Sequence, residues 1–199
     1  MIRIAVLGST RGTNLNPLVD AIKQKKLLAS IELVLSNKED ALILQKAAHF
    51  GIKSMFVNSQ GLSRTEFDHC LSEILKQHHI ELVVLIGYMR ILSAEFVLAW
   101  NNKIINIHPS LLPAYAGLMN LDVHQAVLDA AEIETGCTVH YVTEEVDAGP
   151  IILQKKCPVN ANDTPELLKA RVQELEGAAL VEAIQSICSY KVLENLANQ

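Results

Sequence analysis

The 199-residue sequence lacks any close cysteine spacing. Its four cysteines are widely separated and form no Cys-x-x-Cys pair: Cys70, Cys137, Cys157 and Cys188. Structural zinc sites and disulfide frameworks depend on close or paired cysteines, so this pattern argues against both. Because disulfides are rare in reducing compartments, the cysteine usage fits a cytoplasmic protein. We also expect no bound metal.

Long apolar runs and a dominant charge sign are missing as well. No run approaches the ~20 apolar residues of a membrane-spanning helix, and no basic and apolar leader precedes the first strand. The 17 basic and 22 acidic residues give a net charge of -5, which offers no electrostatic attraction for nucleic acid. We expect a soluble, unexported protein whose partners are small molecules, with no nucleic acid and no membrane.

The apolar residues that are present indicate a parallel sheet. With 50% apolar residues the chain can bury a substantial core, and we expect a single domain over residues 1–199. Apolar runs at 2–7, 31–35, 53–57 and 82–86 scarcely alternate, as is typical of strands buried on both faces. Helical patterns at 15–28, 40–50 and 64–79 separate them, and 103–107 adds a fifth strand. This order predicts a doubly wound, Rossmann-like α/β fold with a mostly parallel sheet.

The C-terminal third follows a different pattern. Residues 136–142 alternate, and 150–159 follow after a short turn, which predicts an antiparallel pair at the sheet edge. A long helix is predicted from Pro165 to about residue 190, because Asp163 and Thr164 supply a cap and proline suits a first turn. Ser63 and Glu66 have the spacing of a capping box, which places Arg64 in the exposed first turn of the third helix.

The strand at 103–107 delivers two polar side chains to its own end. Asn106 and His108 are two residues apart, so both leave the same face of an extended chain. Pro109 disfavours helical dihedrals at His108 and maintains that geometry. An amide beside an imidazole suits a reaction that develops charge on a carbonyl oxygen. The alternative is an ordinary strand end with a solvated histidine.

A glycine-bearing loop joins the first strand to the first helix, at residues 8–14. Free N–H groups at a helix N-terminus favour an anion. Gly8 and Gly12 are four apart, so the dinucleotide pattern is absent, and no Gly-Lys-Ser/Thr forms a P-loop. The loop therefore fits a phosphate ester of mononucleotide size better than ATP or NAD. The alternative is a tight turn that merely requires glycine.

Several motifs together resemble one family over essentially the whole chain: Gly12-Thr13-Asn14, Arg64, Gly-Tyr-Met-Arg-Ile-Leu at 87–92, Asn-Ile-His-Pro-Ser-Leu-Leu-Pro at 106–113, residues 136–150 with Asp147, and Gln173 with Glu176. This set is similar to the phosphoribosylglycinamide formyltransferases, a folate-dependent family of purine biosynthesis. The resemblance implies transfer of the formyl group of 10-formyltetrahydrofolate, a co-substrate, to the amine of glycinamide ribonucleotide.

The resemblance also implies roles for individual residues. Gly12, Thr13 and Asn14 would hold the acceptor phosphate, and Gln173 and Glu176 would meet the ribose hydroxyls. The folate site would comprise Arg64, Met89, Arg90, Ile91, Leu92 and Asn106. There are alternatives for four of these residues. Core packing would equally explain Met89, Ile91 and Leu92, and Arg64 could be a solvated residue at the start of a helix.

For catalysis, the resemblance assigns three residues. Asn106 would donate a hydrogen bond to the oxyanion, and His108 would donate a proton as a cation. Asp147 would raise the pKa of His108 above its ordinary value, unless Asp147 only forms the turn at 147–150. No metal is required, and a homodimer is left open.

The sequence departs from the family pattern after Gly117. Met119 stands where the family usually has a histidine, and His124 either serves instead or is a helix-face residue without a role. His140 shares a strand face with Thr138 and is expected in the core or beside the site. Within the superfamily, formyltetrahydrofolate deformylase and methionyl-tRNA formyltransferase usually carry an extra domain, so a 199-residue length disfavours both. A Rossmann-type nucleotide-binding module has only the strand order in its favour.

Overall fold

The computed structural model describes residues 1–197, with side chains described through residue 190. Seven strands and six helices follow one another along the chain. They are β1 (Ile2–Leu7), α1 (Leu15–Lys23), β2 (Ala29–Ser36), α2 (Leu42–His49), β3 (Ser54–Phe56), α3 (Arg64–Gln77), β4 (Leu82–Leu85), α4 (Ala94–Ala99), β5 (Ile104–His108), α5 (Leu121–Asp129), β6 (Glu134–Tyr141), β7 (Ile151–Pro158) and α6 (Pro165–Ala197).

The strands form one sheet in the order β3-β2-β1-β4-β5-β6-β7. Strands β1 to β5 run parallel, whereas β6 is antiparallel to both β5 and β7. The predicted doubly wound sheet with an antiparallel edge pair and a long C-terminal helix is confirmed. The chain moves outward from β1 in one direction through β2 and β3, and in the other through β4 and β5. Ligands bind such sheets in the crevice at the carboxyl ends of the strands where the direction switches.

Helices cover the sheet on both faces, which explains the continuous apolar strands. Ile4 and Val6 of β1 pack in a core with α1, α2 and α6. Ala5 and Leu7, which point the opposite way, pack in a second core with α3 and α4. No helix among residues 1–197 combines the length and apolar character needed to cross a bilayer.

The helix ends differ in how well the sequence predicted them. In α3 the capping box is confirmed, since the Ser63 side chain accepts from the backbone of Glu66 and the Glu66 carboxylate from that of Ser63. Helix α1 ends at Lys23, before the predicted residue 28, because the chain turns through a left-handed Lys25 at φ 57°. Helices α4 and α5 were not predicted, and α6 extends past residue 190.

Candidate active site

The carboxyl end of β5 carries the centre of the candidate site. In the antiparallel register with β6, Asn106 lies opposite His140 and His108 lies opposite Thr138. Because residues two apart share a face of a strand, these four polar side chains form one patch. The predicted pairing of Asn106 with His108 on one face therefore holds, and β6 adds His140 to it.

His108 is 4% exposed, so it is not a solvated histidine. Its Nδ1 lies 3.2 Å from Asp147 Oδ2, and its Nε2 lies 3.2 Å from the backbone oxygen of Tyr115. Both partners are oxygen acceptors. A neutral imidazole has one N–H and satisfies one of them, whereas the imidazolium donates to both.

Burial nevertheless lowers the pKa of His108 below its ordinary value. The Asp147 carboxylate and the Tyr115 carbonyl act in the opposite direction, and removal from water outweighs them. The expectation that His108 has a raised pKa is therefore wrong, because the sequence showed the neighbouring anion but not the depth of burial. The neutral imidazole dominates at neutral pH and is ready to accept a proton, after which both oxygen partners stabilise the cation.

Asp147 does more than form a turn. It adopts φ 56° in the turn between β6 and β7. Its Oδ2 accepts from the backbone N–H of Gly117 at 2.9 Å, and its Oδ1 lies 3.5 Å from His140 Nε2. Burial raises the pKa of this carboxyl, but its contacts with His140, Gly117 and His108 outweigh burial and leave the pKa lowered. Asp147 is therefore a carboxylate at neutral pH, beside His108.

His140 controls the orientation of the Asn106 amide. Its Nδ1 lies 2.9 Å from the backbone oxygen of Tyr141, which requires a proton on that nitrogen. In the neutral tautomer Nε2 is then an acceptor, and Asn106 Nδ2 donates to it at 3.2 Å. With this tautomer one N–H of Asn106 Nδ2 meets His140, and the second N–H remains for a ligand.

The loop before α1 presents unused backbone donors. The N–H groups of Gly12, Thr13 and Asn14 bond to no group in the described part of the chain. At a helix N-terminus such groups suit an anion. Gly12 is also required by the turn, since it has φ 60° and a Cβ there would lie 2.3 Å from the Ile43 side chain. The tight-turn interpretation therefore applies to Gly12, while the anion site stays a prediction.

Asn14 and Glu176 are in direct contact, which joins the loop to α6. The Asn14 Nδ2 donates to Glu176 Oε2 at 2.7 Å, and both residues are buried. Burial raises the pKa of the Glu176 carboxyl, although the bond from Asn14 opposes this. Gln173, one turn earlier and half-buried, lies on the same side of α6. The residues expected at the phosphate and at the ribose are therefore adjacent, a contact across 162 positions that no local pattern could reveal.

The segment after β4 forms a second surface of the crevice. Met89 and Ile91 are 39% and 54% exposed, whereas Leu92 is buried in the core beneath α3 and α4. The backbone groups of residues 90–92 make no hydrogen bond among the described residues. Free donors and acceptors beside exposed apolar side chains suit a flat heteroaromatic ligand.

The two arginines expected in the folate site both interact with the charge of Asp68 on α3. Arg64 begins α3 and is exposed. The Arg90 guanidinium lies 4.5 Å from the ring centroid of Phe67, a cation–π contact that holds it against α3. Of the two, Arg64 is the cation that is free to meet a flexible acidic group in solution.

His124 is 1% exposed on α5, and its Nδ1 has no hydrogen-bond partner among residues 1–190. Burial lowers its pKa to about 4, and the positive charges of Lys169 and His108 add to this. It is therefore a buried residue of α5 near His108, while Met119 is half exposed in the preceding loop. The described side chains contain no group of three or more His, Cys, Asp or Glu residues that could hold a metal ion.

The low pKa of His124 predicts a loss of stability in acid. The unfolded chain binds a proton at His124 as the pH falls through ~6.5, whereas the folded protein stays unprotonated until about 4. Stability is therefore lost as the pH falls through this window. We expect His124→Gln to show a smaller drop in Tm between pH 7 and pH 5 than the wild type, measured by calorimetry. His69→Gln, an exposed histidine of α3, is the control, and an unchanged drop in His124→Gln would contradict the prediction.

Comparison with known proteins agrees with this geometry. Residues 2–184 match the Formyl transferase family. The chain is 42% identical to phosphoribosylglycinamide formyltransferase of Escherichia coli over 178 residues, which is 89% of this chain and 82% of that protein. It is 46% identical to the trifunctional purine biosynthetic protein adenosine-3 of Gallus gallus over 94% of its own length, but spans 18% of that longer protein.

A solved structure extends the likeness to the fold. Glycinamide ribonucleotide transformylase 1 from Symbiobacterium toebii superposes with a TM-score of 0.89 at 40% identity, covering 93% of this chain and 86% of that one. The family match over residues 2–184 includes the glycine loop, the end of β5 and the first part of α6. This chain belongs to the formyl transferase family.

Proposed function

We propose that the protein transfers the formyl group of 10-formyltetrahydrofolate to the amine of glycinamide ribonucleotide, giving formylglycinamide ribonucleotide and tetrahydrofolate. The observation that carries this proposal is the cluster of Asn106, His108 and Asp147 between two differently built surfaces. One surface offers the free amides of residues 12–14 beside Glu176, and the other offers the open backbone of residues 90–92. A phosphorylated acceptor suits the first, and a pterin suits the second.

The acceptor is held by its phosphate and its ribose. Gly12, Thr13 and Asn14 donate their N–H groups to the phosphate at the start of α1. Gln173 and Glu176 meet the ribose hydroxyls, and Asn14 links the two subsites through its bond to Glu176. The amine then extends toward His108. In this arrangement a single acceptor molecule contacts the loop after β1, the end of β5 and the side of α6.

His108 moves one proton between the two nitrogens of the reaction. The amine nitrogen attacks the formyl carbon, and the carbonyl π electrons move to the oxygen. Neutral His108 accepts the proton that the attacking nitrogen must lose. The resulting imidazolium donates that proton to the leaving nitrogen of the folate as the old carbon–nitrogen bond breaks. Asp147 stabilises the imidazolium between these steps, at 3.2 Å from Nδ1.

Asn106 stabilises the oxygen that becomes negative. Its Nδ2 has one N–H fixed on His140 and one free. A preformed donor costs no reorganisation when the charge develops, so it stabilises the intermediate more than the substrate. No step requires a covalent enzyme intermediate.

Steady-state assay with both substrates tests the proposal. The expected result is formyl transfer that depends on glycinamide ribonucleotide and proceeds much faster than release of free formate. Formate release at a comparable rate without any amine acceptor would replace the proposal with formyltetrahydrofolate deformylase activity, in which water takes the place of the amine. Binding of NAD(P)H in preference to the folate would favour a nucleotide-binding module instead.

Replacement of Glu176 separates the acceptor subsite from the folate subsite. We expect Glu176→Ala to raise the KM for glycinamide ribonucleotide far more than the KM for the folate. Of the two substrates, Glu176 contacts only the acceptor. Glu174→Ala, an exposed neighbour on the same helix, serves as the matched control and should change neither. An equal rise in both KM values for Glu176→Ala would remove the assignment.

We add three further proposals, on location, domain organisation and partners. The protein acts in the cytoplasm as one domain, and its partners are its small-molecule substrates. A homodimer is tested by sedimentation of the purified chain.

A further inference from the structure

The backbone of the segment that faces the folate makes few hydrogen bonds to the rest of the described chain. Residues 87–93 have no regular secondary structure. At one end Met89 donates its backbone N–H to Ser9 Oγ at 3.0 Å, and at the other Ser93 donates its backbone N–H to Asp68 Oδ2 at 2.5 Å. The backbone of residues 90–92 makes no hydrogen bond of its own among the described residues, so these flanking bonds help to position it, together with the packing of Leu92 and Arg90.

Asp68 is an unusual anchor for such a segment, because it is a buried acid. It lies on α3 at 1% exposure, and its Oδ1 has no hydrogen-bond partner within the described residues. Burial raises the pKa of its carboxyl, while the bond from Ser93 and the charges of Arg90 and Arg64 oppose this. A buried carboxyl with one unpaired oxygen is costly, and packing alone does not require it.

Two unpaired donors belong to the same cluster. The Tyr88 hydroxyl and the Arg90 Nε are both buried without a partner in the described part of the chain. The Arg90 guanidinium rests on Phe67, the residue before Asp68. Burial raises the pKa of Tyr88, and the negative charge of Asp68 raises it further. Neither donor is hydrogen-bonded to Asp68, but the charge of Asp68 interacts with both residues, which belong to the folate-facing segment.

We propose that Asp68 is a positioning residue for the formyl donor: it holds Ser93 at the far end of residues 87–93 by a hydrogen bond, and its charge attracts Arg90 within the segment. This inference rests on the proposed function, in which residues 90–92 bind the pterin. Fixing both ends holds the free backbone groups of residues 90–92 in the geometry that the pterin requires. Asp68 itself touches neither substrate.

The test is a comparison of KM values in variants that remove one interaction each. Asp68→Ala loses the Ser93 bond and the charge, so the KM for 10-formyltetrahydrofolate should rise about 10-fold to 100-fold, as for loss of a hydrogen bond to a charged group. Asp68→Asn keeps an oxygen for Ser93 and should show a smaller rise. Tyr88→Phe removes a hydroxyl that is not hydrogen-bonded to Asp68, so it should leave the same KM unchanged. The KM for glycinamide ribonucleotide should stay unchanged in all three.

Glu73→Gln is the matched control, because Glu73 is an exposed acid on the same helix that pairs with Lys76; it should change neither KM. If Asp68→Ala does not fold, Asp68→Asn decides. Unchanged donor KM values in the folded Asp68 variants, or equal rises for both substrates, would overturn the inference. An inactive wild type would overturn the proposed function instead, and the Kd of the folate alone, by titration calorimetry, would still test Asp68.

Discussion

Asp147→Asn is expected to lower kcat by about 10²–10⁴, the range ascribed to a positioned acid or base. The amide keeps the size of the carboxylate but cannot stabilise the imidazolium that forms 3.2 Å away during the reaction. Substrate affinity should change little, because the phosphate and ribose contacts lie at residues 12–14, Gln173 and Glu176. The effect should therefore appear in kcat, with both KM values near those of the wild type.

The same variant should move the titration of His108. Because the Asp147 anion raises the pKa of His108 against burial, removing the charge should lower that pKa further. Neutral His108 is the active form, so activity is lost as the pH falls through its pKa, and this acid limb should shift to lower pH in Asp147→Asn. NMR titration of His108 and kcat/KM profiles on the same samples measure both effects.

Asp129→Asn is the matched control. It removes one exposed carboxylate at the end of α5 and changes the net charge by the same amount as Asp147→Asn. It should leave both the His108 titration and kcat unchanged. An unmoved His108 pKa in Asp147→Asn would mean that Asp147 acts by another route, such as holding a water. An unchanged kcat would mean that Asp147 only forms the turn.

The sequence predicted those parts of the fold that depend on local pattern. Continuous apolar runs identified β1, β2 and β4 because each is buried on both faces, and Ser63 with Glu66 identified the start of α3 through a capping box that closes within four residues. The turn at Lys25 was missed, because a lysine in left-handed conformation gives no sequence signal. The six residues of α4 are too few for a helical period to emerge.

The candidate site was predicted in composition but not in its electrostatics. Asn106 and His108 follow from a strand that ends in polar residues, whereas the partner of each comes from elsewhere in the chain. His140 reaches Asn106 through the β5–β6 register, and Tyr115 reaches His108 through a backbone oxygen that no residue type encodes. The direction of the His108 pKa depends on burial by the whole fold, so it could not be derived from the nearby aspartate alone.

Asn106→Asp is expected to lower kcat by about 10²–10³, as loss of one oxyanion donor does. The substitution preserves shape, but a carboxylate has no N–H for the developing oxyanion and repels its charge. It also cannot donate to His140 Nε2, which now receives the Asn106 amide at 3.2 Å. Because the oxyanion exists only in the intermediate, kcat should fall while the KM for glycinamide ribonucleotide stays close to the wild-type value.

Asn101→Asp is the control for this change, because Asn101 is an exposed asparagine in the turn before β5; its kcat should match the wild type. His140→Phe adds a second readout, since it removes the acceptor that orients Asn106 but leaves the amide in place. Its kcat should fall by less than in Asn106→Asp, and the double variant should be no worse than Asn106→Asp, because both changes act on the same donor. Additive losses in the double variant would show that His140 acts independently of Asn106, through its contact with Asp147.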